Sequence, residues 1–233
     1  MKPTLTLAET ITPDGMKLVL QKHDESYLVR LAGQTLMHSS AAASEQRLGE
    51  LAIAPFAGRP GLRVLVGGLG LGFTLKAILT WAGRDARVEV VELFSEIVTW
   101  NRDHLAGLNG SRLDDPRVEV LVEDLWDVLK RTPEGSYDAI VCDVDNGPVA
   151  MVHRGNARLY KDIGLRRIHA ALIPGGRAAI WSASDHPPFV ERLREIGFQV
   201  EVVSAKAYAA ARRDTHRIFL ADKPAQTATR GHG

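Results

Sequence analysis

Short apolar runs of strand length alternate along this chain with stretches whose apolar positions fall three or four residues apart. Arg63-Val64-Leu65-Val66-Gly67 has the length and composition of a buried strand. The glycine-rich turn Gly68-Leu69-Gly70-Leu71-Gly72 follows at once, and Phe73 to Trp81 then sets Phe73, Ala77, Ile78 and Trp81 on one helical face. A second apolar run, Val88 to Val91, ends in Glu92. The pattern continues with strands at Arg117–Val122, Tyr137–Cys142, Arg177–Ser182, Phe198–Val203 and His216–Leu220. Between them lie helices from Ser95, as N-cap, to about Ala106, and at Leu125–Lys130, Asn156–Leu172 and Pro187–Ile196. Strand and helix in alternation predict an α/β, Rossmann-like fold: a parallel sheet with right-handed crossovers and helices on both faces.

The first residues follow a different rule. Lys17–Lys22, Tyr27–Leu31 and Thr35–Met37 alternate or nearly alternate, which predicts a small N-terminal antiparallel β-sheet over residues 1–43. Ser44, as N-cap, opens a helix that runs through Ala54, and Pro55 to Leu62 links it to the glycine-turn strand. Residues 44–222 then form the Rossmann-like domain, and the small, polar stretch 223–233 reads as a disordered tail.

Composition narrows the partners. Among 233 residues the net charge is +1 and the basic residues form no run, so neither nucleic acid nor an anionic membrane is an expected partner. No apolar stretch approaches the roughly 20 residues of a membrane span. Met1-Lys2-Pro3-Thr4 lacks the hydrophobic region of a secretory signal, and a cytoplasmic location is expected. The lone cysteine, Cys142, excludes an intramolecular disulfide, and His38, His153, His169, His186 and His216 show no ligand spacing, so no metal is expected.

Ligands of open parallel sheets sit at the carboxyl ends of the strands. Three successive strands here deliver acids to that rim: Glu92, then Glu123 and Asp124, then Asp143 and Asp145. The glycines Gly68, Gly70 and Gly72 let the backbone bend and a ligand approach without a Cβ in the way. Glu92 stands about 20 residues beyond the turn, where such folds place the acid that accepts from both ribose hydroxyls. Asp124 can accept from an exocyclic amine, as in adenine. Asp143 and Asp145 suit a cationic substrate, and either can take a proton from an attacking amine; the same Asp-x-Asp-Asn-Gly-Pro run also suits a tight turn. Tyr160 packs on a ligand or caps a core. Cys142, inside an apolar strand, reads as a core residue, as do Trp81 and Trp100. Trp181 lies near a strand end and can line the rim. His38 reads as a solvated histidine.

These residues resemble the spermidine synthase family of polyamine aminopropyltransferases, within the class I methyltransferase-like fold. The resemblance spans about residues 28–204 and is carried by Val64 to Gly72, Val91-Glu92-Leu93, Asp115-Pro116-Arg117-Val118, Glu123-Asp124, Tyr137 to Asp143 and Gly147-Pro148. Leu159-Tyr160 and Pro174-Gly175-Gly176 fit as well. It implies a methyltransferase-type sheet preceded by the small antiparallel one, and decarboxylated S-adenosylmethionine as the donor of an aminopropyl group. Glu92 would then hold the ribose, Asp124 the adenine, and Asp143 would deprotonate a small-molecule amine acceptor. The glycine turn and Glu123 would complete the nucleoside site, and Asp145 and Tyr160 would bind the acceptor. The resemblance puts Leu71 where the family carries an Asp that contacts the donor's free amine, and it implies a homodimer. Two other readings stand beside it: an S-adenosylmethionine-dependent methyltransferase, and a non-catalytic nucleoside-binding protein.

Overall fold

The computed structural model of the chain describes residues 3–12, 14–144, 154–208 and 210–225. An antiparallel sheet comes first, in the order β1 (Leu5–Ile11), β2 (Lys17–His23), β3 (Ser26–Leu31), β4 (Gln34–His38). Strand β1 escapes the sequence pattern. It is an edge strand with a bulge between Thr6 and Ala8, so its apolar side chains keep no strict alternation: Leu7 and Ala8 pack against the core, while Leu5 and Ile11 stay in solvent.

The chain continues through α1 (Ala43–Ile53), β5 (Arg63–Gly67), α2 (Phe73–Trp81), β6 (Arg87–Glu92), α3 (Ser95–Asp103), α4 (Ala106–Asn109) and β7 (Val118–Val122). It closes with α5 (Leu125–Arg131), β8 (Tyr137–Cys142), α6 (Asp162–Ala171), β9 (Leu172–Ser182), α7 (Pro187–Ile196), β10 (Gln199–Ala205) and β11 (His216–Asp222). The second sheet has the order β10-β11-β9-β8-β5-β6-β7. Its strands from β9 to β7 are parallel, whereas β11 and β10 run antiparallel. No helix separates these last two, and a chain that returns without a crossover must pair antiparallel.

Successive residues of β5 serve opposite faces. Val64 and Val66 join one apolar cluster with Leu75 and Ile78 of α2, while Leu65 joins another with Leu165, Ile168 and Phe189. Leu18, Leu20, Val29 and Leu31 of the small sheet belong to the first cluster, so that sheet packs on the main core. Among the described residues no helix is long and apolar enough to cross a membrane.

Several boundaries differ from the sequence pattern. Helix α1 begins at Ala43, ahead of Ser44, which is buried within the first turn; Ala43 N–H donates to the Ala207 carbonyl, so a tertiary contact replaces a side-chain cap. Ser95 is the first helical residue of α3, with Phe94 in the capping position. The expected helix at 156–172 divides into a 3-10 stretch, Arg154–Tyr160, and α6, with an extended Lys161 between them. Pro174-Gly175-Gly176 lies inside β9, where the pairing with β8 shifts register. Trp81 is 67 % exposed although the rest of its helical face is buried: it is the last residue of α2, and periodicity identifies a face but not where the helix outruns the core. Lys223 is held by four hydrogen bonds: its N–H donates to Gly176 O, its O accepts from Gly175 N–H, and its Nζ donates to His169 O and Leu172 O. Residues 226–233 of the expected tail lie outside the described residues.

Candidate active site

Strand β5 is the point where the sheet order reverses, with β6 on one side and β8 on the other. Gly67 is level with Val91 of β6 and with Cys142 of β8, and Glu92 is level with Val122 of β7. The next residues, Gly68, Glu92, Asp143 and Glu123, are therefore brought to one rim at the topological switch point, where α/β sheets bind ligands. Gly68 has φ +89°, and a Cβ there would stand 2.2 Å from the carbonyl oxygen of Asp143. Only glycine lets the loop and the β8 rim approach this closely.

Glu92 fastens the loop. Its Oε2 accepts from Leu69 N–H at 2.9 Å and its Oε1 from Phe94 N–H at 3.0 Å. Burial raises its pKa, and the backbone amides pull it back. Glu92 also lines the cavity, where its carboxylate can accept from a hydroxyl. Gly70 also lines the cavity, and Gly72 is the N-cap residue of α2. Leu71 is 1 % exposed and packs in the core, so the loop position that faces a ligand is Gly70. This corrects the expectation that Leu71 occupies the place of an acid contacting the donor.

Asp124 is the N-cap of α5, its Oδ1 accepting from Trp126 N–H at 2.8 Å and its Oδ2 from Arg158 Nη2 at 2.5 Å. The Arg158 guanidinium lies 5.2 Å over the Trp126 ring. Glu123 is gripped by both terminal nitrogens of Arg131, at 2.5 and 2.8 Å. An Asp directly before a helix signals the cap, whereas the two arginine partners come from distant positions with no local signature.

Asp143 accepts from the Thr74 hydroxyl at 2.6 Å. Its carboxyl is pushed up to about 6, chiefly by burial and further by the Glu92 charge, against the lowering effect of that hydroxyl. Thr74 lies in the first turn of α2 and is absent from the sequence reading. Glu45, in the first turn of α1, stands in the sequence only as part of Ala43-Ser44-Glu45, the counterpart of the family's Tyr-His-Glu, with no site role expected; it lines the cavity, and burial followed by the Asp143 charge raises its pKa.

The cavity holds about 310 Å³, at the lower end of small-molecule sites. The glycine loop and the acids form its floor, and Leu18, Val29, Leu36 and Met37 of the small sheet form its apolar roof. Trp181 reaches the wall, its ring 4.9 Å from that of His216. His38 also lines the cavity, partly buried, with Ser40 Oγ 2.7 Å from its Nδ1; it is not a freely solvated side chain. Tyr160 is 2 % exposed, packs on Phe189 and donates its hydroxyl to Val144 O at 3.0 Å. It does not line the cavity, which corrects its expected contact with substrate. Cys142 is buried and its thiol pushed up to about 12, which leaves it inert. Trp100 is buried. Asp145 and Gly147-Pro148 lie outside the described residues. Among the described residues no group of three or more His, Cys, Asp and Glu is placed to hold a metal ion.

Comparison with known proteins agrees with this architecture. Among the curated relatives, polyamine aminopropyltransferase 2 of Pseudomonas aeruginosa is 34 % identical over 59 % of this chain and 40 % of its own length. A polyamine aminopropyltransferase of Synechococcus sp. is 32 % identical over 54 % of the chain and 38 % of its own length. The chain thus spans well under half of the curated relatives it matches. In fold it is similar to spermidine synthase from Thermotoga maritima, with a TM-score of 0.71 at 16 % identity over 94 % of this chain and 72 % of that one. A spermidine synthase in complex with the transition-state analogue AdoDATO gives 0.74 at 18 % identity, over 94 % and 73 % of the two chains. The spermine/spermidine synthase domain matches residues 55–190, more than half of the sequence, and the chain belongs to that family.

Proposed function

We propose that this chain transfers an aminopropyl group from decarboxylated S-adenosylmethionine to a small amine, in the cytoplasm, and releases methylthioadenosine. One observation carries the reading: Asp143, a partly buried carboxylate raised to about 6, faces a cavity whose floor is built of nucleoside-type acids. The names of the curated relatives and the analogue bound to the structural neighbour support it.

In this reading Glu92 accepts from the ribose hydroxyls, while Asp124, steadied by Arg158, accepts from the adenine amine. Glu123, Gly68, Gly70 and Gly72 shape the nucleoside site, and Asp145 binds the acceptor. The acceptor nitrogen attacks the tail carbon bonded to the sulfonium. The C–N bond forms, the C–S bond breaks, sulfur keeps the electron pair as a neutral thioether, and Asp143 takes the amine proton. The sulfonium is a good leaving group, so alignment and proton removal supply the catalysis. No metal takes part.

A second reading, methyl transfer from intact S-adenosylmethionine, is favoured by the glycine loop, which presents Gly70 and no carboxylate to repel that donor's own carboxylate. Titration with methylthioadenosine and S-adenosylhomocysteine separates the two. Comparable affinities, with aminopropylated amines detected by mass spectrometry, are expected. S-adenosylhomocysteine binding about tenfold tighter, a gap of about 1.4 kcal/mol, would favour methyl transfer.

The functional unit is a homodimer in this proposal, formed through the small sheet. The outer edge of β1 is unpaired among the described residues, and Leu5 and Ile11 on it are 60 % and 61 % exposed. Light scattering at micromolar concentration should report twice the chain mass; a monomer would refute the assignment.

A further inference from the structure

Five carboxylates among the described residues line the cavity: Glu45, Glu92, Glu123, Asp124 and Asp143. Four are already held. Glu92 accepts from two backbone amides, Glu123 from Arg131, Asp124 from Arg158 and a backbone amide, and Asp143 from Thr74. The Glu45 carboxylate, partly buried and facing the like charge of Asp143, has no hydrogen bond or ion pair with any described residue. A buried acid without a partner is costly, and one aimed into a cavity gains its partner when a cation arrives.

Its position is defined by packing. Helix α1 lies hard against α2 at Gly49, where a Cβ would stand 2.6 Å from Thr74 O and 2.8 Å from Ala77 Cβ. The Thr74 hydroxyl is 3.2 Å from the backbone carbonyl of Glu45 and 2.6 Å from Asp143 Oδ2. One side chain thus joins the first turn of α1 to the base. Glu45 therefore stands beside Asp143, whereas the acids assigned to the nucleoside, Glu123 and Asp124, follow the end of β7, which β5 and β6 separate from β8. The glycine loop itself offers no anion, since Gly70 faces the cavity and Leu71 faces the core.

We propose that Glu45 receives the primary ammonium of the donor's three-carbon tail. This rests on the aminopropyl-transfer reading above. The attacked carbon must lie at Asp143, and the tail continues from that carbon to its ammonium. Glu45 is the unpartnered acid beside Asp143, and it is fixed to α2, the helix that continues the donor-cradling loop. The acceptor, by contrast, brings its own cationic end from the opposite side of the attacked carbon.

Calorimetry with two adenosyl thioethers tests the assignment: methylthioadenosine, which has no amine, and S-adenosyl-3-thiopropylamine, which carries the whole tail. The wild-type chain should bind the tailed ligand at least about tenfold more tightly, the size of a charge-assisted contact. Glu45→Gln should abolish that preference and leave methylthioadenosine affinity unchanged, which also shows that the variant is folded. If the wild-type chain shows no preference for the tail, the aminopropyl reading itself falls. If Glu45→Gln keeps the preference, or changes only the KM for the acceptor amine, that reading stands and the role given to Glu45 is overturned.

Discussion

Asp143→Asn should lower turnover by at least ~100-fold while methylthioadenosine affinity stays within about twofold of wild type. Asparagine has the shape of the aspartate, and its carbonyl can still accept from the Thr74 hydroxyl, 2.6 Å away in the parent site. It cannot take a proton from an attacking amine. The carboxyl is raised to about 6, mainly because burial disfavours its charge. Only the ionised form is a base, so wild-type turnover should fall as pH drops through about 6. Thr74→Val removes a donor that favours the ionised form, so the acid limb should move upward by about one pH unit, the worth of one charge-assisted hydrogen bond. Stability moves the other way. The folded pKa of Asp143 exceeds the unfolded value, so the folded chain binds that proton more tightly. The cost of the buried charge is full above about 6 and fades as pH falls toward about 4. The Asn variant should therefore melt no lower than wild type at neutral pH. Near-normal turnover in it would pass the proton to another group and remove Asp143 from the mechanism.

What is legible along the chain is whatever depends on local order. Gly68, Glu92, Glu123 and Asp143 reach one rim because parallel strands of similar length end level, and strand ends can be read from apolar runs. Glu45 and Thr74 escape such a reading. Glu45 joins the cavity only because Gly49 lets α1 approach α2, Thr74 reaches Asp143 from beneath it, and nothing within either helix announces those contacts. Tyr160 and Trp81 show the same limit in opposite senses. An aromatic residue near a predicted site can turn into the core, as Tyr160 does against Phe189, and one in register with a buried face can stand beyond it, as Trp81 does at the end of α2. The short alternating strands of the small sheet signal antiparallel pairing, but only the fold places Leu18, Val29 and Met37 over the acids as a roof.

Glu92→Ala should produce the largest combined loss, because one carboxylate serves both the loop and the ligand. In the parent site it accepts from Leu69 N–H and Phe94 N–H, and the Leu69 bond is buried. Removing the acceptor leaves those amides without it, at roughly 1–3 kcal/mol for each one that water cannot reach. Thermal unfolding of the ligand-free variant should therefore fall by several degrees. Methylthioadenosine should separately lose about 2 kcal/mol, roughly thirtyfold in affinity, through the missing bonds to ribose. Glu92→Gln distinguishes the two losses. Its amide oxygen can keep one backbone bond, but its NH₂ must face the other N–H, so stability should lie between wild type and the Ala variant. It can still offer an acceptor and a donor to ribose hydroxyls, though without the charge, and its affinity should also be intermediate. Calorimetry on the folded fraction, combined with the ligand-induced shift in unfolding temperature, measures both effects on the same samples. Unchanged affinity in a folded Ala variant would confine Glu92 to fastening the loop, and ribose recognition would have to come from another group on the cavity floor.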